Sequence, residues 1–305
     1  MSDLETTKQE VINAIETHGP MLGKELVEQV PDRNYLELWQ ACFTSPDILI
    51  SHFSRYYLRY DITREDSIRL SPSILRDFLS FTLFSTVSQR EKVIDRQVTL
   101  SNHHRQVSMQ KMRIARGILR QIMRKIPQDL HHIMCAFIAG DIAYFLAHRE
   151  PREVAAIGEM VNGSDIDIII VHDGLPEDIL ELIDKEMMSF KVYYMRHPDY
   201  REEVDYICKS KATMFGQLAY QTIDHKIASK IAYEAIFLAG SVELFSEIKN
   251  QVEASGTQDL IERDFLYGLE ERKEAMRTLL SADSRNLDKN TESLFFFSQE
   301  RVEFQ

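Results

Sequence analysis

The sequence predicts an α+β fold: a small mixed sheet with helices, flanked on both sides by mainly helical segments. Two observations carry this. Residues 130–210 alternate short β-branched runs with amphipathic stretches in the order strand, helix, strand, helix, strand pair. The segments on either side instead repeat apolar residues at three- and four-residue spacing.

With 305 residues the chain is long enough for two domains and a sizeable core, and at 44% hydrophobic residues it is globular rather than disordered. No apolar run approaches the roughly 20 residues that span a bilayer. The opening Met1-Ser2-Asp3-Leu4-Glu5 lacks the basic-then-apolar pattern of a secretory leader. Cys42, Cys135 and Cys208 are scattered and without Cys-X-X-Cys spacing, which points to a reducing compartment and no zinc site. The expected location is cytoplasmic, with no membrane partner. A formal net charge of −12 argues against broad attraction to nucleic acid but leaves room for a local basic surface.

Taken in order, Val11, Ile12 and Ile15 give a first helix over Glu5–Thr17 that Gly19-Pro20 stops. Leu22–Val30 reads as a second helix. Asn34 caps a third carrying Tyr35, Leu38, Trp39 and Phe43. Ile48–Ile50 and Tyr56–Tyr60 then read as strands, and three helices followed by a hairpin is the order of a winged-helix-like module over residues 1–88. The third helix has Glu37 and aromatics but only Arg33 to meet phosphates, which favours a dimerisation or regulatory role over nucleic-acid recognition. Ser71-Pro72 opens a further helix through Leu75, Phe78, Leu79 and Leu83.

Residues 89–127 form a basic connecting helix. Arg113, Arg116, Arg120 and Arg124 recur along one face, while Met112, Ala115, Leu119, Ile122 and Ile126 form the inward one. Such stripes are usually solvated. This one lies in a stretch without any acid from Gln97 to Gln128, so a nucleotide or RNA contact stays open.

Residues 128–212 hold the core. Ile133–Ala139 is its first strand, Ile142–Ala147 begins a helix after the Gly140 turn, and Arg149–Asn162 is read as an ordered loop. Then comes Gly163-Ser164-Asp165-Ile166-Asp167-Ile168-Ile169-Ile170-Val171, two aspartates running into a buried strand. Alternation puts Asp165 and Asp167 on one side and Ile166 and Ile168 on the other. Carboxylates at that spacing can converge on a hard cation, and Gly163 and Ser164 let backbone approach a phosphate. Glu177–Met188 is an amphipathic helix. Lys191–Arg196 is expected to pair as a hairpin with Glu203–Lys209, whose Asp205 can complete an acidic triad.

This arrangement resembles the DNA polymerase beta-like nucleotidyltransferase superfamily over about residues 130–210. That family places a small-residue motif after a first strand, an Asp-hydrophobic-Asp pair on the next and a third acid on a later one. Phe137-Ile138-Ala139-Gly140, Asp165-Ile166-Asp167 and Asp205 correspond. The chain departs in having Gly140-Asp141 where the family has Gly-Ser or Gly-Gly, and in an insertion around Arg149–Val161. The resemblance implies a nucleotidyltransferase-like mixed sheet in which Asp165, Asp167 and Asp205 bind magnesium or manganese. It implies an NTP substrate, ATP foremost, with Gly140, Gly163 and Ser164 near its phosphates. Transfer of a nucleoside monophosphate to an acceptor hydroxyl follows from it. The alternative is a non-catalytic regulator on a degenerate fold.

Residues 213–305 are read as a helical C-terminal region. A long helix over Gln217–Ala239 would carry Lys226 and Lys230 on one face, toward a triphosphate by the same resemblance or simply into solvent. Gly240 would cap it, and Val242–Ala254 and Gln258–Leu280 would follow. The apolar tail Leu294-Phe295-Phe296-Phe297 with Val302 should dock as a strand or as a contact in a homo-oligomer.

Overall fold

The computed structural model describes residues 3–61, 67–154, 158–297 and 300. The chain is α+β, with several small sheets among its helices. It divides into two compact units that interleave along the sequence. One comprises residues 1–59, 68–103 and 265–305; the other comprises 60–67 and 104–264. Compactness thus groups residues that the boundaries at 88, 127 and 212 separate, and both division points near 103 and 264 fall inside continuous helices, Arg90–Met123 and Thr257–Ser281.

In the first unit the helices Asp3–His18, Gly23–Gln29 and Tyr35–Thr44 form as expected, and the Asn34 side chain accepts from the Glu37 amide at 2.9 Å. The strand pairing differs from the expectation. Ile48–His52 pairs antiparallel with Thr82–Thr86, which also takes Met21–Leu22 on its other edge. Tyr57–Asp61 belongs instead to a separate ladder with Ser67–Ser71. The helix after Pro72 covers only Ile74–Ser80, so Leu83 lies in the strand. Thr82–Thr86 is buried at all five positions, and a strand covered on both sides has no alternation to betray it. The tail docks as the helix Lys289–Phe295, with the Phe295 ring 5.9 Å from Trp39, edge to face. Val302 lies outside the described residues.

The second unit is built on a four-stranded sheet. Its order is Val204–Ser210, Ile166–His172, Met134–Ile138, Ile236–Gly240, with the first pair parallel and the others antiparallel. Ile166, Ile168 and Ile170 face one core with Ala115, Ile118, Leu119, Ile179 and Ile183. Ile169 and Val171 face the opposite core with Met214, Leu218, Ala232, Leu244 and Ile248. A strand sandwiched this way reads as a near-continuous apolar run.

Four expectations in this unit are corrected. Lys191–Arg196 is not a strand but the end of the helix Glu177–Arg196, held by buried Tyr194 and Met195 and stopped at His197, where Pro198 disfavours a further helical residue. Arg149–Asn162 is no loop: Pro151–Val154 pairs with Glu159–Asn162. The helix after Gly140 spans only Gly140–Ala143, and Phe145 takes a left-handed φ of 61°. The long helix over Gln217–Ala239 is broken into Lys211–Gln217, Ile223–Glu234 and the edge strand Ile236–Gly240. Tyr220 at φ 60° interrupts it, and the Thr222 side chain starts a new helix by accepting from the His225 amide. Gly240 therefore ends a strand, at φ 91°, where a Cβ would stand 2.3 Å from the Met134 carbonyl oxygen.

One buried ion pair ties the base of the Pro151–Asn162 hairpin to the basic helix. Lys111 is fully buried, paired with the Glu202 carboxylate, and donates to the Asn162 carbonyl at 2.8 Å. Burial pulls the ammonium pKa down, against the pull of Glu202. Removing one partner strands a buried charge. Lys111→Met should therefore lose about 3–5 kcal/mol in urea unfolding, and Lys111→Met with Glu202→Leu should recover most of it. A double variant as unstable as the single one would contradict this account.

Candidate metal centre

The acidic site follows from strand geometry. Parallel pairing sets Asp205 opposite Asp167, and alternation brings Asp165 to the same face. One carboxylate oxygen from each of Asp165, Asp167 and Asp205 lies within 4.8 Å of the others. The donors are all hard oxygens, which suits magnesium or manganese and not a thiophilic metal. All three cysteines are free thiols and none belongs to this group.

Such crowding of like charge is balanced by nearby cations. The Arg152 guanidinium pairs with Asp165, meets Glu203 at 2.6 Å and donates through Nε to the Gly163 carbonyl at 2.9 Å. Lys191 pairs with Asp205. Among the described residues Asp167 has no such partner. Its carboxylate is reachable by water yet crowded by protein atoms, and that desolvation, then the charges of Asp205 and Asp141, pushes its pKa up to about 6 against the opposing pull of Lys230.

The phosphate-side residues fall differently. Gly140, at φ 69°, has space for a Cβ only 3.3 Å from Asp167 Oδ2, so its bare Cα leaves that carboxylate room. Its amide is already engaged, donating to Glu234 Oε1 at 2.8 Å. Gly163, at φ 70°, is required by packing: a Cβ would stand 1.9 Å from the His148 carbonyl oxygen. The Ser164 hydroxyl donates to Asp141 Oδ2 at 2.8 Å and accepts from the His148 amide at 3.2 Å. The departure at Asp141 is thus placed directly beside the triad. Lys230 pairs with buried Glu234 at 2.7 Å. Lys226 lies apart from it, 3.6 Å from Asp264 and beside the rings of Tyr60 and Tyr220.

Sequence reasoning missed Arg152, Lys191, Glu203 and Glu234. Arg152 and Lys191 lay in segments read as a loop and a strand, so their reach toward the acids was hidden. Glu234 carried one usable signal, its four-residue spacing from Lys230.

No protein-family model matches the chain, and no match was found among curated proteins or solved structures.

The raised pKa of Asp167 has a definite consequence for stability. A carboxyl that titrates near 6 when folded and near 3.8 otherwise holds its proton more tightly in the folded chain. The stability this gives is complete below about pH 4 and is lost as pH rises through 6. Asp167→Asn cannot ionise, so with divalent metal chelated it should melt with the parent at acid pH and above the parent at pH 8. A variant that melts below the parent at pH 8 would mark Asp167 as a scaffold residue.

Proposed function

We propose that this chain is a divalent-metal-dependent nucleotidyltransferase, moving a nucleoside monophosphate from an NTP to an acceptor hydroxyl. The observation that carries the reading is the convergence of Asp165, Asp167 and Asp205 on adjacent strands, with Gly140 after the neighbouring strand. This is the order of motifs that the superfamily resemblance predicts, and it supports a nucleotidyltransferase-like sheet.

In this reading the three carboxylates hold magnesium or manganese. The metal supplies charge neutralisation at the phosphates and a lowered pKa for the acceptor hydroxyl. The chain's own residues do the rest. Asp205 takes the hydroxyl proton as the acceptor oxygen bonds to the α-phosphorus and the bond to pyrophosphate breaks. Arg152 and Lys191 offer donors suited to phosphate oxygens once the acids face metal. Lys230 holds Glu234, which in turn fixes the Gly140 amide, and so keeps the turn beside Asp167 in place. ATP is the first donor to test.

The N-terminal helices and the Ile48–His52/Thr82–Thr86 ladder support a winged-helix-like module with an enlarged connection between its two longer strands. Its role in this proposal is dimerisation or regulation. A cytoplasmic setting suits the three free thiols.

A second reading rests on Asp141. Its carboxylate holds the Ser164 hydroxyl and adds negative charge beside Asp167. An acid there opposes a triphosphate, which favours a nucleotide-sensing regulator with little or no turnover.

Incubation with an NTP labelled at the α-phosphate, magnesium and candidate acceptors separates the two. A live enzyme transfers label and releases pyrophosphate, and Asp165→Asn or Asp205→Asn should bring transfer to background. NTP with magnesium should also stabilise the parent, by about 2.7 kcal/mol at a hundredfold excess over Kd, and leave either variant unmoved. Stabilisation without pyrophosphate release decides for the regulator. Neither effect would end both readings.

A further inference from the structure

The arginine stripe of the long helix is not absorbed by the acidic site, and its surroundings give it a shape. Arg116, Arg120 and Arg124, with Met123, His131, Leu238 and Ala239, line one open groove of about 350 Å³. Arg113 does not line it. The floor is apolar, from Met123, Leu238 and Ala239, and the guanidiniums form the rim. On one side runs the helix; on the other runs Ile236–Gly240, the edge strand of the four-stranded sheet.

The charge of this groove is uncompensated. Among the described residues none of these three arginines has an acidic partner, although the chain carries a net charge of −12. Arg116 makes one weak contact, to the Phe237 carbonyl at 3.4 Å. Lys125, in the same turn as Arg124, is by contrast paired with Glu186. His131 turns Nε2 toward the Met123 and Ile126 carbonyls and so closes the end of the groove by holding the turn.

We propose that this groove binds a single strand of nucleic acid through its sugar–phosphate backbone. Arginines four residues apart rise by about 6 Å per step along a helix, a spacing close to that of successive phosphates in an extended strand. The apolar floor accepts the flat face of a base or a sugar, and the volume is at the lower end of the range for small-ligand sites, about 300–1,000 Å³. An acidic peptide added to the free sheet edge is the competing occupant. The edge suits it poorly: the strand is short, its register shifts between Phe237 and Ala239, and Arg116 already contacts one of its carbonyls. The groove lies on the helix side of the sheet, whereas Asp165 and Asp167 face the other core, so this site stands whether or not the acidic centre is catalytic.

The test uses the full chain and fluorescence anisotropy with a short labelled oligouridylate, its deoxy counterpart and polyglutamate. Three phosphate contacts predict a slope of log K against log salt near −2, at about −0.7 per contact on a single strand. Arg120→Ala with Arg124→Ala should cut that slope to about −0.7 and weaken binding about tenfold or more at low salt. The corresponding lysine pair should keep the slope, and Lys125→Ala should bind as the parent does. Arg120, Arg124 and Lys125 are all exposed on the helix or its following turn, so folding is not at stake. Asp165→Asn with Asp167→Asn should leave oligonucleotide binding intact. The proposal is overturned by unchanged binding in the alanine pair, by an equal loss in Lys125→Ala, by loss in the aspartate pair alone, or by polyglutamate binding with the same arginine dependence.

Discussion

Everything at the acidic site depends on the in-register parallel pairing of Val204–Ser210 with Ile166–His172. Backbone hydrogen bonds fix that register, and the register places Asp205 opposite Asp167 whether or not their charges tolerate it. A shift of one residue would turn Asp205 to the other face and replace it with Tyr206 or Val204. The apolar positions prevent such a slip. Val204 is fully buried and Tyr206 packs against the same core as Ile166 and Ile168, so the sheet's hydrophobic pattern holds three carboxylates together against their repulsion.

The neighbouring charges make sense as responses to this constraint. Arg152 arrives on the Pro151–Asn162 hairpin, Lys191 on the penultimate turn of a helix, and each neutralises one acid. The remaining acid, Asp167, adjusts by holding its proton to higher pH. Arg152 also braces the hairpin through Glu203 and the Gly163 carbonyl, and Lys111 secures the same hairpin from beneath. Site and scaffold are therefore linked: the hairpin Pro151–Asn162 delivers a cation into the acidic cluster.

Much of this was legible in the sequence, for identifiable reasons. The Asp-Ile-Asp pair announces its own face by alternation, and Asp205 sits in a run with the same period. The cap at Asn34 and the stripe from Arg113 to Arg124 are local signals that survive folding. The misread segments are those where tertiary packing overrides local pattern. Lys191–Arg196 carries Val192, Tyr193 and Tyr194, residues that favour strands, yet buried Tyr194 keeps it helical. Ile236–Gly240 continues the apolar spacing of the preceding helix and becomes a strand because the edge of Met134–Ile138 is there to pair with. No residue count reveals which of two apolar stretches will find an open sheet edge. The partners of Asp165 and Asp205 were hidden for the same reason, since an ion pair across elements needs the elements placed first.

The interleaving of the two units bears on how the chain is made. Synthesis runs from the N-terminus, and the segments of the sheet-bearing unit are complete by residue 264. The other unit begins with the first residue but is finished only by the last forty or so, which include Leu279 and the Phe295 ring that covers Trp39. Until those residues leave the ribosome, the apolar face around Trp39 lacks part of its cover. The unit whose first segments are translated earliest therefore receives its last packing elements latest, and the apolar face around Trp39 is the surface left open longest during synthesis.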